Sequence, residues 1–182
     1  MKLSVLVTTY NALAWLEKVI WGYAAQTHRD FELIIADDGS SPETADRIRA
    51  LRRETGLDLV HLWQPDEGFQ KCRVLNKAIV TARHDYLVFS DGDCIPRADF
   101  LAVHAARAQP GYYLSGSYYK LPSLPGHDWR AFSTPPPPRA ATSRAPMPRR
   151  GARTCCASTA STSACNGAAL IVNSAYGCST PA

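Results

Sequence analysis

Asp91-Gly92-Asp93 follows an apolar run, Tyr86-Leu87-Val88-Phe89-Ser90. Two carboxylates flanking a glycine at a strand end repel each other unless a cation or water screens them. Hard oxygen ligands of this kind suit a divalent ion whose remaining coordination positions are filled by phosphate oxygens. The other reading is a polar turn, where Asp and Gly are common for backbone reasons alone. Similar polar clusters close the earlier apolar runs: Thr8-Thr9-Tyr10, Asp37-Asp38-Gly39-Ser40 and Gln64-Pro65-Asp66-Glu67. Acids gathered at several strand ends favour a ligand crevice over ordinary loop polarity.

The elements that must position these clusters alternate between strand and helix patterns. Leu3–Thr8, Phe31–Ala36, Leu57–Trp63 and Tyr86–Ser90 are continuous apolar runs of the kind expected for strands buried on both faces. Between them, Ala14–Ala25, a segment opened by Ser41-Pro42, and Phe69–Ala82 carry apolar residues at helical spacing, and Asp99–Ala108 follows the last run. Ser41 is expected to cap the second helix with its hydroxyl. Tyr112–Tyr119 reads as a further strand. This order predicts an α/β fold, a Rossmann-like parallel sheet with helices on both faces. In such sheets ligands bind beyond the carboxyl ends of the strands, where all four polar clusters fall.

Composition divides the chain at Leu121. Residues 1–121 hold 14 Lys and Arg against 15 Asp and Glu, whereas residues 122–182 hold 6 Arg, no Lys and the single acid Asp128. The net charge of +4 therefore comes from the tail, and no basic stripe interleaved with aromatics suggests nucleic-acid binding. No run of about eighteen apolar residues is present, and Leu3–Val7 is too short for a signal-peptide core. The expectation is a cytoplasmic protein, with docking on the inner face of a membrane left open. Cys72 and Cys94 are expected to be free thiols, and the four tail cysteines lack paired zinc-site spacing. The absence of Walker and GxGxxG loops disfavours P-loop and dinucleotide enzymes.

Four segments together resemble the family 2 glycosyltransferases, inverting enzymes with the A-type nucleotide-sugar fold. They are Ser4-Val5-Leu6-Val7-Thr8-Thr9-Tyr10-Asn11, Ile35-Ala36-Asp37-Asp38-Gly39-Ser40, Glu67 through Ala78, and Phe89-Ser90-Asp91-Gly92-Asp93. Each is weak alone, and their shared order and spacing carry the resemblance over roughly residues 2–121. It implies that Thr8 and Tyr10 line a base pocket, with the Tyr10 ring against the nucleobase, and that Asp38 accepts a hydrogen bond from the base imino group. Asp37 then braces the strand–loop junction. Arg73, Asn76 and Lys77 share a helix face by their spacing. Arg73 suits bidentate phosphate binding or a pair with Asp38, and Lys77 a point-charge contact. A solvated basic helix face is the alternative. The resemblance further implies Asp91 near the ribose and Asp93, with Asp91, ligating Mg²⁺ or Mn²⁺ across the diphosphate. Cys94 reads as a packing residue, since hard cations prefer oxygen.

The implied activity is sugar transfer from a nucleoside diphosphate sugar, a UDP-sugar above all, to a glycan or lipid-linked acceptor in polysaccharide or lipopolysaccharide synthesis. Inverting transfer needs a general base, which family members carry downstream as a carboxylate. Here the one acid after Asp99 is Asp128, in Gly126-His127-Asp128-Trp129, so the base region is expected to be missing and activity doubtful. A binding fragment that takes a nucleoside diphosphate without turnover is the alternative. A phospho-accepting receiver is a third reading, although its acidic pair follows the first strand and here Asp37-Asp38 follows the second. Residues 122–182, with Pro135 to Pro138 and abundant Arg, Ala, Ser and Thr, are expected to be a disordered tail or the product of a shifted reading frame.

Overall fold

The computed structural model describes residues 1–116, Tyr118 and the backbone of residues 141–144. Four parallel strands, β1 (Leu3–Thr9), β2 (Phe31–Asp37), β3 (Leu59–Trp63) and β4 (Leu87–Asp91), form one sheet in the order β3-β2-β1-β4. The connecting helices are α1 (Leu13–Ala24), α2 (Pro42–Thr55) and α3 (Lys71–Thr81), and α4 (Phe100–Arg107) follows β4. The expected α/β architecture is therefore present, with boundaries within about two residues of those read from the sequence.

Alternation along the strands divides the core between two faces. Leu3, Val5, Val7, Leu33, Ile35 and Val88 meet Leu16, Val19 and Ile20 of α1, Ile48 and Leu51 of α2, and Leu101 of α4. Leu6, Ile34, Ala36 and Leu87 point the other way, onto Val74, Leu75 and Ala78 of α3. Strands covered on both sides have no polar face, which is why they read as unbroken apolar runs. Glu32 of β2, 1% exposed, accepts from Ser4 Oγ at 2.6 Å and from the Arg83 backbone N and Nε, both at 2.7 Å.

Register levels the strand ends. Thr8 stands opposite Ala36 on one side and Asp91 on the other, Thr9 opposite Asp37, and Asp37 opposite Trp63. The polar clusters thus share one edge of the sheet. Ser41 occupies the N-cap position of α2 with Pro42 after it, but its hydroxyl makes no capping bond. It instead helps hold the Glu43 carboxyl below its ordinary value. At the other end Gly56, at φ 67°, closes α2 in the left-handed conformation that glycine adopts without a Cβ penalty.

α3 begins at Lys71, two residues later than expected: Gln70 is its N-cap, at φ −119° and ψ 28°, and its otherwise unpaired backbone N donates to Asp38 Oδ2 at 2.8 Å. β5 (Tyr112–Ser115) does not extend the parallel sheet. It pairs antiparallel with β6 (Ala141–Arg144), Tyr112 opposite Arg144 and Ser115 opposite Ala141. β6 lies within the segment read as tail. The remainder of residues 122–182, with His127, Asp128 and the frame-shift expectation, lies outside the described residues.

Candidate functional site

The end of β4 is fastened to the end of β1. Gly92 N donates to Thr8 O at 2.8 Å, and Cys94 N returns to Asp91 O at 3.1 Å, closing the turn. A Cβ on Gly92 would sit 2.7 Å from Thr8 O, so only glycine allows this approach. Thr8 Oγ1 donates to Asp91 Oδ1 at 3.1 Å. The same oxygen receives Lys71 Nζ at 2.5 Å, from the first turn of α3. Beside the turn, the buried Thr9 hydroxyl has no hydrogen-bond partner.

A second cluster forms around Asp38, which is 6% exposed. Its backbone N donates to Thr9 O at 3.0 Å, so β1 positions it too. Oδ1 accepts from Gln64 Nε2 at 2.6 Å and Oδ2 from Gln70 N at 2.8 Å. A carboxylate offers about four lone-pair positions, so both oxygens retain capacity for a further donor. Gln64, 1% exposed, extends the chain by accepting from Lys77 Nζ at 3.0 Å. Asp37 is the brace the sequence suggests. Its Oδ1 accepts from Ser40 N at 2.8 Å, and its Oδ2 lies 2.9 Å from His61 Nε2. Burial pushes the Asp37 carboxyl up, but the His61 and Ser40 bonds outweigh it and hold the group below its ordinary value.

Tyr10 stands half exposed at the mouth and donates to Asp66 Oδ2 at 2.9 Å. That bond, more than the Asp66 charge, raises the phenol above its usual value. Asp66 Oδ1 in turn accepts from Gly68 N at 3.1 Å, and Asp66 backbone lies within 2.7 Å of where a Gly39 Cβ would stand. The loops after β1, β2 and β3 are therefore joined to one another at this end of the sheet. Of the two partners expected for Arg73, phosphate or Asp38, the second is not taken up. Arg73 pairs with Glu67 Oε2 at 2.5 Å on the exposed side of α3, not with Asp38. The helix-face argument placed Arg73 and Lys77 together, yet their partners are Glu67 and Gln64. Lys71 carries no expectation from the sequence, and Gln64 only as part of the strand-end cluster Gln64-Pro65-Asp66-Glu67. Glu67-Gly68 marks the loop, but which polar side chain meets Asp91 depends on where α3 starts.

One ligand atom from each of Asp91, Asp93 and Cys94 lies within 4.8 Å of the others. Burial, followed by the Asp93 and Asp91 charges, pushes the Cys94 thiol up to about 12, and a hard divalent cation prefers carboxylate oxygen to sulfur. The two carboxylates are the donors that remain. They fit a hard divalent ion that completes its shell with water and phosphate oxygens. Among the described residues, no helix is long and apolar enough to cross a membrane.

The model of glycosyl transferase family 2 matches residues 4–169. The chain belongs to glycosyl transferase family 2. The match extends beyond Leu121, where the sequence resemblance ends. The chain is 35% identical over 108 residues to the hyaluronan synthase of Pasteurella multocida, covering 59% of this chain and 11% of that protein. It is 30% identical over 148 residues to the validoxylamine A glucosyltransferase of Streptomyces hygroscopicus subsp. jinggangensis, covering 78% of this chain and 35% of that protein. Among solved structures, the mannosyltransferase PcManGT from Pyrobaculum calidifontis, in complex with GDP-Man and Mn²⁺, superposes with a TM-score of 0.58 at 25% identity. It covers 65% of this chain and 36% of that one. S. aureus TarS 1-349 in complex with UDP-GlcNAc gives 0.53 at 26% identity, covering 58% and 30%. The chain thus spans about a tenth to about a third of the length of these relatives. Their sheet-and-helix architecture is the A-type glycosyltransferase fold.

Proposed function

We propose that residues 1–121 form the donor half of a glycosyltransferase and bind a nucleoside diphosphate sugar, with UDP-sugars preferred. The observation that carries this reading is the buried Asp38, held by Gln64 and Gln70 N, on the same sheet edge as the Asp91-Gly92-Asp93 turn. Asp38 accepts the imino N–H of the base, and the exposed Tyr10 ring covers the base from the mouth. Thr8 fixes Asp91 beside the ribose. Lys71, which neutralises Asp91 across 2.5 Å, is placed to share its charge with the diphosphate. Lys77 reaches the base side through Gln64, and Arg73 remains available to phosphate by releasing Glu67.

Asp93 with Asp91 would hold Mg²⁺ or Mn²⁺, which when bound neutralises charge on the departing diphosphate. The TarS complex with UDP-GlcNAc and the PcManGT complex with GDP-Man and Mn²⁺ support both the donor class and the metal. The resemblance to hyaluronan synthase supports a glycan acceptor in surface polysaccharide synthesis. A lipid-linked acceptor would place the protein at the cytoplasmic face of a membrane. The second reading is a nucleoside-diphosphate-binding fragment without turnover.

Titration calorimetry with UDP, GDP and ADP, each with and without Mn²⁺, tests the reading. Mn²⁺-dependent binding of UDP tighter than ADP is expected, and equal binding of all three, indifferent to Mn²⁺, overturns it. Hydrolysis or transfer from UDP-sugars then separates the two readings.

A further inference from the structure

Gln26, just past the end of α1, is fully buried although polar. Every polar atom of its side chain is used, and two of the three bonds reach the segment downstream of the carboxylate turn. Nε2 donates to Arg97 O at 2.5 Å and to Gly22 O at 3.1 Å, while Oε1 accepts from Leu101 N at 2.9 Å. Next to it, Thr27 N donates to Ala98 O at 2.8 Å. One helical turn earlier, Gly22 leaves a notch that Ile95 and Pro96 fill. A Cβ there would lie 2.8 Å from Pro96 Cδ and 3.1 Å from Ile95 Cγ2. Arg97 is itself pinned by Asp99 through Nε to Oδ1 at 2.9 Å and Nη2 to Oδ2 at 2.6 Å. The segment from Asp91 to Leu101 is thus tied at its start to β1 and at its far end to α1.

We propose that Gln26 is a positioning residue for the Asp91-Gly92-Asp93 turn, with Gly22 as the notch that seats the chain behind it. The device has a physical rationale. Residues 92–99 contain no strand or helix, so their backbone groups need partners from elsewhere. A buried glutamine supplies a donor and an acceptor at once, fixing two points four residues apart. With both ends held, the separation of Asp91 and Asp93 is set before any cation arrives, which lowers the ordering cost of binding. Gln26 touches neither the turn's carboxylates nor any reacting group, and it acts through the loop backbone. The inference rests on the reading of this turn as the divalent-ion loop.

The test uses the full chain and two readouts. Hydrogen exchange of the amides of residues 92–98 is measured without metal, relative to those of β1, and Mn²⁺ binding is followed by electron paramagnetic resonance. Gln26→Met keeps the length and removes the bonds. Gly22→Ala keeps Gln26, favours the helix, and forces Pro96 outward. Both are expected to speed relative exchange and weaken Mn²⁺ binding by about tenfold, the equivalent of roughly one lost buried hydrogen bond. Leu51→Ala, a core truncation on α2 that leaves the Gln26 bonds and the Gly22 notch in place, is expected to leave both ratios within about twofold of wild type, since it shares no partner with them. Should Gln26→Met fail to fold, Gly22→Ala decides alone. Unchanged relative exchange in the folded variants overturns the proposal, as does an equal change in Leu51→Ala. If the wild type binds no Mn²⁺, the metal reading fails, while the exchange comparison still decides the role of Gln26.

Discussion

Replacing Gly92 by alanine tests the junction between β4 and β1 at its tightest point. The added Cβ would lie 2.7 Å from Thr8 O and 3.3 Å from Thr9 Cβ and Oγ1. Thr8 O belongs to the central strand and is bonded to Gly92 N at 2.8 Å, so neither partner yields without breaking the junction. Overpacking of this kind costs about 1–3 kcal/mol, and loss of the Gly92 bond adds about 1 kcal/mol. The expected destabilisation is therefore about 3 kcal/mol, read from urea denaturation. Gly56→Ala is the contrast. Nothing lies within 4 Å of its added Cβ, and only the left-handed backbone at φ 67° opposes it, for about 1–2 kcal/mol. Mn²⁺ binding should weaken in Gly92→Ala and not in Gly56→Ala. A Gly92→Ala protein within about 0.5 kcal/mol of wild type, a typical neutral surface effect, with unchanged Mn²⁺ binding, would refute the steric argument.

Three further outcomes follow from the same geometry. Lys71→Met removes the cation at Asp91, and UDP affinity in Mn²⁺ should fall about tenfold by calorimetry, whereas unchanged affinity removes Lys71 from the diphosphate site. Gln64→Leu leaves the buried Asp38 with one donor fewer and Lys77 without its acceptor. It should cost about 2 kcal/mol in denaturant, and a neutral result would deny the chain linking Asp38 to Lys77. His104 is buried against Tyr86, with Nδ1 2.9 Å from the phenol oxygen, and burial lowers it from 6.5 to about 4. The unfolded chain therefore binds a proton first, and stability is lost as pH falls from about 6.5 to about 4, by up to roughly 3 kcal/mol. His104→Gln should flatten that part of the pH profile, and an unaltered slope assigns it to other groups.

The main sheet was legible because its strands are buried on both faces and appear as unbroken apolar runs. Strand ends were legible too, because Asp38 and Asp91 close runs whose parallel register fixes a common edge. Asp37 was correctly read as a brace, since a fully buried carboxylate at a strand end needs donors nearby. What escaped were polar residues whose partners are distant in sequence. Lys71 meets Asp91 twenty positions on, Gln64 reaches back to Asp38, and Gln26 reaches Leu101. Helical spacing put Arg73 and Lys77 on one face and offered Asp38 or phosphate to Arg73, but the side-chain partners here are Glu67 and Gln64, which spacing along one helix does not reveal. Gln70, just before the start of α3, is bonded to Asp38, a tertiary contact that helical spacing does not show. β5 likewise read as a strand, while its antiparallel pairing with Ala141–Arg144 depends on a segment with no periodic signal.

The central claim is that Asp91-Gly92-Asp93 holds the divalent ion that fastens a nucleoside diphosphate to this sheet edge. Titration of UDP into wild type and Asp93→Ala, with and without Mn²⁺, tests it most directly. Mn²⁺ should strengthen UDP binding to the wild type by at least about tenfold, worth 1.4 kcal/mol, and leave binding to Asp93→Ala unchanged. An equal Mn²⁺ enhancement in both proteins would contradict the account.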